Sequence, residues 1–340
     1  MRKLLNTFYI TNEQAYLSLD GENIVCKVPN EKPVRVPFDN IENIVCFSYL
    51  GCSPALMGKC VDANIPINFV SPHGRFLAKL CGGTKGNVFL RVKQIESFHS
   101  NSLKLCQNTV AAKLSNTRQV VRRSMHDDAA LRSDNAILKF LDLISTSLET
   151  VYSAKTPEEV LGIEGNCAKG YFGIFGKLIK NSNFTITGRV KHPPLDPVNA
   201  VLSFIYTLMT NDCAAALETV GLDSYIGFYH TLRSGRESLA CDLVEEFRCF
   251  AERFVLTVLN LQILDKNDFD FQVSGTVFLN NEGRKKVLEK WQGKKRETLY
   301  HPYLGENIPY GLLPYVQSNL LARFIRGDIS EYPPYLYKKR

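Results

Sequence analysis

Apolar positions in the first ~85 residues fall in short runs of strand length, separated by turn signals. Gln14 to Asp20 and Asn23 to Val28 are two such runs, joined across the hairpin signal Asp20-Gly21. Val34-Arg35-Val36 is a third and stops at Pro37. Asn43 to Phe47 and Pro66 to Val70 are apolar runs of strand length, and Gly74 to Leu80 follows the turn Pro72-His73-Gly74. One helix interrupts them, with Ser53 as N-cap, Pro54 at the first helical position and Ala55 to Val61 after it. Gly82-Gly83-Thr84-Lys85-Gly86 then breaks the pattern and marks a domain boundary.

Beyond that break the pattern takes the longer period of helices. Helices are predicted from about Val88 to Ser124 and from about Asp134 to Ala154, with a third between Pro157 and Lys180. Pro197 to Met209 reads as a buried helix and Asp212 to Glu218 as a separate short one. Leu239 to Leu264 is long and amphipathic, with Ser238 as N-cap; Gly311 to Arg326 ends at Gly327. The expected fold is α+β in two domains. A small β-rich N-terminal domain spans residues 1–86, and a larger all-α domain spans 87–340.

Composition narrows the class. The chain has 340 residues, 45% hydrophobic and 22% charged, which excludes disordered and collagen-like chains. Its net charge of +7 suits a polyanionic partner without requiring one. Ten cysteines form no C-x-x-C pair and sit mostly in apolar runs, so a reducing cytoplasm, no disulfides and no zinc–thiolate site are expected. No run of ~18 uncharged apolar residues predicts a membrane span. Asn6 and Thr11-Asn12-Glu13-Gln14 deny the N-terminus the apolar core of a signal peptide.

Basic residues gather late, at Arg284, Lys285, Lys286, Lys290, Lys294, Lys295 and Arg296, and again at Lys338-Lys339-Arg340. They read either as a solvated helix face with a frayed tail or as a phosphate-facing surface. Trp291 inside the run reads as the packing anchor of its helix.

Three acidic or imidazole signals could carry chemistry. Glu164 shares a stripe about 80° wide with Ala168, Phe172, Phe175 and Ile179, so a carboxylate heads an apolar helix face. It either meets a cation there or sits in the first turn, exposed to solvent. Asp242 and Glu245 lie one turn apart beside the core stripe Leu239, Leu243, Phe247, Phe250 and Phe254. They form a cation-binding pair or part of an acidic face with Glu246 and Glu252, and periodicity does not choose between Glu245 and Glu246. His230 is a capping or core histidine, or a ligand folded back beside them across Ser234–Ser238. Carboxylates with one imidazole suit Mg²⁺ or Mn²⁺.

The motifs come in order: Gly162-Ile163-Glu164-Gly165; Pro193-Pro194-Leu195-Asp196-Pro197 with Val198 to Phe204; Gly227-Phe228-Tyr229-His230; and Ser238 to Arg248. His301-Pro302, Gly311-Leu312-Leu313-Pro314 and Tyr332-Pro333-Pro334 extend them. Together they resemble the CRISPR-associated integrase family of spacer acquisition, most closely its subtype I-C form, over essentially the whole chain. The resemblance implies a metal-dependent DNA endonuclease and integrase. Glu164, His230 and Glu245 would be the metal ligands, and Asp242 the acid one turn before the last. Glu245 stands where some members have Asp, which leaves the ligand geometry less fixed. It further implies Mg²⁺ or Mn²⁺, double-stranded DNA as substrate, a homodimer formed through the β-rich domain, and a heterohexamer with a small second adaptation protein. Tyr16, Leu17, Leu19, Ile24 and Val25 are the edge-strand residues expected to serve the dimer. Lys169, Arg233, Arg236, Lys285 and Lys286 are expected to hold phosphates. A stand-alone metal nuclease and a non-catalytic DNA-binding scaffold are the two competing readings.

Overall fold

The computed structural model describes residues 7–71, 76–82, 88–191, 193–230 and 233–337. The turn Pro72-His73-Gly74, Gly83 to Gly86 of the expected boundary and the basic tail Lys338-Lys339-Arg340 therefore lie outside the described residues.

The N-terminal region builds two sheets. Strands β1 (Thr7–Ile10), β5 (Asn43–Cys46), β6 (Ile67–Val70) and β7 (Phe76–Leu80) form one, in that order; β1, β5 and β6 are parallel and β7 is antiparallel to β6. Strands β2 (Tyr16–Asp20), β3 (Asn23–Lys27) and β4 (Val34–Pro37) form an antiparallel meander. Gly21 takes a positive φ of 56° in the β2–β3 turn, as the Asp20-Gly21 signal requires. Helix α1 (Pro54–Asp62) starts where expected, the Leu56 N–H donating to Ser53 Oγ at 3.3 Å. Strand β1 escaped the sequence pattern because four residues, TFYI, carry too short an alternation to register.

Strand β5 lies between two cores. Its period of two sends Ile44 and Cys46 into the N-terminal cluster with Ile10, Leu17, Ile24, Phe38 and Leu56. Val45 and Phe47 face the other way and join the large cluster of the helical region, Phe47 meeting Phe204 at 6.0 Å between ring centroids. A parallel sheet buried on both faces explains why this strand reads as an unbroken apolar run. The exposed-edge role expected for Ile24 and Val25 does not hold, and Leu17, although on the edge strand β2, is buried rather than exposed. Ile24 and Val25 are buried too, and β3 is the central strand of its meander.

The helical region contains α2 (Val88–Asp127), α3 (Asn135–Thr150), α4 (Pro157–Phe175), α5 (Pro197–Thr219), α6 (Ser238–Asn260), α7 (Asn281–Arg296) and α8 (Leu313–Arg326). The two helices expected across 197–218 are one. Asn211 and Asp212 do not interrupt it, because buried Asp212 is matched by buried Lys295 of α7 at 2.5 Å. Helix α5 is long and apolar enough to cross a membrane, but 83% of its apolar window is buried inside the fold, so it is the core helix. Ser238 is the first residue of α6 rather than its cap; the Leu239 and Ala240 N–H groups donate to Ser224 O instead. The region is not wholly helical. Two small antiparallel hairpins flank α7, β8 (Phe269–Phe271) with β9 (Val277–Leu279) and β10 (Thr298–His301) with β11 (Glu306–Pro309). Strands of three and four residues are too short for their pattern to stand out.

Candidate functional site

Five segments converge on one cavity of about 610 Å³: the middle of α2, Phe140 and Ile144 of α3, α4 from Leu161 to Gly173, Tyr229 and His230 before α6, and α6 from Glu245 to Glu252. Residues 187–191 close its side with Arg189 and Lys191. Glu164, His230 and Glu245 all line it, so the structure brings together the three residues expected as ligands. Glu164 is no first-turn solvent carboxylate, since α4 begins seven residues earlier at Pro157 behind the cap Thr156.

The partner of the carboxylates is Lys113 of α2. Its ammonium donates to Glu164 Oε1 and to Glu245 Oε2, and the three side chains are only 11%, 14% and 4% exposed. Arg248, one turn along α6, donates to the other Glu245 oxygen, Oε1. Burial by itself would push Glu245 up, but Arg248 and then Lys113 outweigh it and hold this carboxyl well below the usual range. Burial opposes the charge of Lys113 as well, and Glu245 and Glu164 more than offset it, so the lysine is held above its ordinary value. Behind Arg248 lies the Tyr206 ring, 4.4 Å from the guanidinium, whose hydroxyl donates to Glu252 at 2.8 Å. Arg189 packs on the same ring and is tied to Asn199 and Ser203 at 2.8 and 2.9 Å.

Asp242 is placed behind this arrangement and does not reach the cavity. It is fully buried and accepts from the backbone N–H groups of Phe228, Tyr229 and His230 at 2.7, 3.0 and 2.9 Å. Its Oδ1 also lies 2.7 Å from His230 Nδ1. One carboxylate thus pins a three-residue loop and the imidazole, leaving Nε2 free to face the cavity. Gly227 permits it: a Cβ there would come within 2.5 Å of Asp242 Oδ2 and 2.9 Å of Ser238, so only glycine lets the loop lie this close to α6.

Among the described residues, no three His, Cys, Asp or Glu side chains are gathered tightly enough to hold a metal ion by themselves. The donor chemistry nevertheless fits a hard divalent cation. Two carboxylates from different helices share one positive charge, and an imidazole oriented by a buried carboxylate faces the same space.

The expected phosphate-holding residues divide. Lys169 is exposed and lines the cavity. Arg233 and Arg236 do not line it; Arg233 is exposed and Arg236 donates to Ser238 Oγ at 3.4 Å. On α7, Lys285 is exposed, while Lys286 pairs with Asp268 at 2.7 Å. Arg284 and Lys295 of the same basic run are buried, and Trp291 anchors the helix at 1% exposure. Lys113, Arg189, Lys191 and Arg248 went unassigned in the sequence. Nothing in helical periodicity tells a cation that will meet a carboxylate on another helix from one on a wet face.

Residues 8–293 match the family model described as CRISPR associated protein Cas1. The chain is 41% identical to the CRISPR-associated endonuclease Cas1 2 of Rhodospirillum rubrum, over 99% of this chain and all of that one. Its fold matches a casposase bound to integration product with a TM-score of 0.84 at 19% identity, covering 98% of this chain and 95% of the casposase. A subunit of a Cas6-RT-Cas1–Cas2 complex matches with a TM-score of 0.85 at 17% identity, over the whole of this chain and 37% of that longer one. Together with the cavity and the order of its motifs, these matches make the chain a member of the Cas1 family of CRISPR-associated proteins.

Proposed function

We propose that this protein is a divalent-metal-dependent DNA integrase and endonuclease that inserts short DNA duplexes into a CRISPR array. The observation that carries the reading is the pair Glu164 and Glu245. They lie on different helices, are nearly buried, and meet around one positive charge at the floor of a cavity that His230 also lines. A scaffold that only bound DNA would have no use for two desolvated carboxylates in a basic cavity, where they repel the ligand.

Mg²⁺ or Mn²⁺ bound by Glu164, Glu245 and His230 would supply Lewis-acid polarisation of a phosphate oxygen. The protein's own groups do the rest. Asp242 holds His230 with Nδ1 directed inward, so Nε2 is the nitrogen presented to the site. Five cationic side chains line the cavity (Lys113, Lys169, Arg189, Lys191 and Arg248) against the carboxylates Glu164, Glu245 and Glu252. They offset the charge of a phosphodiester and of the more negative transition state. Partial burial strengthens each of these interactions relative to water. The nucleophile is the 3′-hydroxyl of an incoming duplex; its oxygen bonds the phosphorus of a phosphodiester at the repeat end as the old P–O bond to the neighbouring nucleotide breaks and that oxygen leaves as a hydroxyl, and water in its place gives nuclease activity.

The same reading includes a homodimer, a heterohexamer with a small second adaptation protein, and a cytoplasmic location, in keeping with ten free cysteines. The likeness to a casposase bound to integration product and to a subunit of a Cas6-RT-Cas1–Cas2 complex supports integration and that partnership. The subtype I-C assignment rests on the sequence motifs. The test is strand transfer of a preformed duplex into a supercoiled CRISPR plasmid with the partner protein present. Glu164→Ala, His230→Ala and Glu245→Ala are expected to lose transfer while retaining DNA binding. Cleavage without strand transfer in the unsubstituted protein would favour the stand-alone nuclease, and full activity of all three variants would favour the scaffold.

A further inference from the structure

We propose that Lys113 is an exchangeable internal counter-ion: it holds the site together without metal, and a divalent cation has to displace it. The inference rests on the metal-site reading above and adds a competitor to it. The ammonium donates to both Glu164 Oε1 and Glu245 Oε2, so it stands in the position a cation shared by those two oxygens would take. Two nearly buried carboxylates this close repel each other unless a positive charge lies between them. Lys113 supplies that charge from a third helix, which lets the two carboxylates stay assembled. The ammonium and a divalent ion cannot both occupy the space.

Arg248 is not part of the exchange. It binds the opposite oxygen of Glu245 and stacks on Tyr206, whose hydroxyl is tied to Glu252. A planar guanidinium held on its face and at its edge stays in place, whereas a lysine head on four rotatable bonds can swing away. Glu245 therefore keeps one cationic partner throughout, and Glu164 is the carboxylate whose only change is which cation it faces.

The test is a Mn²⁺ titration of chelator-treated full-length protein, read by electron paramagnetic resonance. Lys113→Met and Lys113→Gln remove the competitor and are expected to bind Mn²⁺ at least tenfold more tightly than the unsubstituted protein. Both should also melt lower without metal and recover when Mn²⁺ is added. Lys113→Arg keeps the charge and is expected to bind no more tightly than the unsubstituted protein. A second measurement needs no variant. Amine acylation followed by mass spectrometry should leave Lys113 unmodified without metal and label it several-fold more with Mn²⁺ present. Unchanged or weaker Mn²⁺ binding by Lys113→Met and Lys113→Gln would overturn the proposal if Glu164→Gln still loses the ion, since the site would then be real and Lys113 no competitor. Absence of Mn²⁺ binding in every protein, with Lys113 labelling unaffected, would remove the metal reading itself and this inference with it.

Discussion

Glu245 and Glu246 are neighbours on α6, both buried, and they are held in opposite ways. Glu245 faces the cavity and is surrounded by cations, Lys113 and Arg248. Glu246 faces the other side, where the C-terminal segment crosses the helix. It accepts from Tyr332 OH at 2.5 Å, the Tyr335 N–H at 2.8 Å and Gln317 Nε2 at 2.9 Å, all of them neutral donors. Burial pushes the Glu246 carboxyl up to about 7 even though those donors pull it down. The Glu245 carboxyl is held below its ordinary range. Equal burial therefore leaves two carboxyls shifted in opposite directions, and the partners decide which way. On one side the helix keeps a charge ready for chemistry; on the other it uses a carboxyl as a structural hub.

The largest expected effect separates the two sides outright. Glu164→Ala or Glu245→Ala should reduce strand transfer about a thousandfold or more, whereas Glu246→Gln should leave most of it, as measured by initial rates at saturating DNA. Asp242→Asn comes next. It weakens the hold on His230 and the 228–230 backbone, and it should cost about 10- to 100-fold in activity or metal affinity, compared by Mn²⁺ titration. Glu246→Ala strands three buried donors and should lower stability by about 3 kcal/mol, read by denaturant unfolding, with a smaller loss for Glu246→Gln.

The smallest effect is a pH slope confined to the structural side. His301 Nε2 lies 2.9 Å from Gln317 Oε1 and its Nδ1 accepts from the Leu304 N–H at 3.3 Å, which fits a neutral ring. Burial lowers its pKa, with Gln317 and nearby Glu306 only partly opposing. A histidine depressed on folding contributes fully above its unfolded value of about 6.5 and loses that contribution as pH falls below it. Over pH 7.5 to 5.5 the raised Glu246 carboxyl works in the opposite sense, gaining stability as pH falls, so the measure is the difference: His301→Gln should lose less melting temperature, or gain more, than the unsubstituted protein on acidification over that interval.

Much of this was legible in the sequence. The strand-then-helix order, the caps at Ser53 and Gly327 and the Trp291 anchor follow from local pattern alone. Glu164 showed itself because a carboxylate on an apolar stripe is conspicuous. Its partner was not legible, because Lys113 lies 51 residues away on another helix and looks like any surface lysine. The choice between Glu245 and Glu246 was closed to periodicity for a related reason. Both sides of α6 are buried, and only the segments packed on each side tell them apart. The basic run of α7 misled in the opposite direction, since Arg284 and Lys295 are interior residues with acidic partners, Glu13 and Asp212.

Helix α2 runs for 40 residues without a break, a rod of about 60 Å. Near its start Gln94 holds the loop before α6 through Asp223 and Ile226; farther on it carries Lys113, and one turn later Asn116, which grips the C-terminal segment at Tyr335 and Tyr337. A rod has no slack, so the rotational phases of these three grips are locked to one another. Inserting a single residue between Gln94 and Lys113 would turn everything downstream by about 100° and swing the lysine off its carboxylates. The spacing between those two positions is thus fixed to the residue, although neither side chain touches the other.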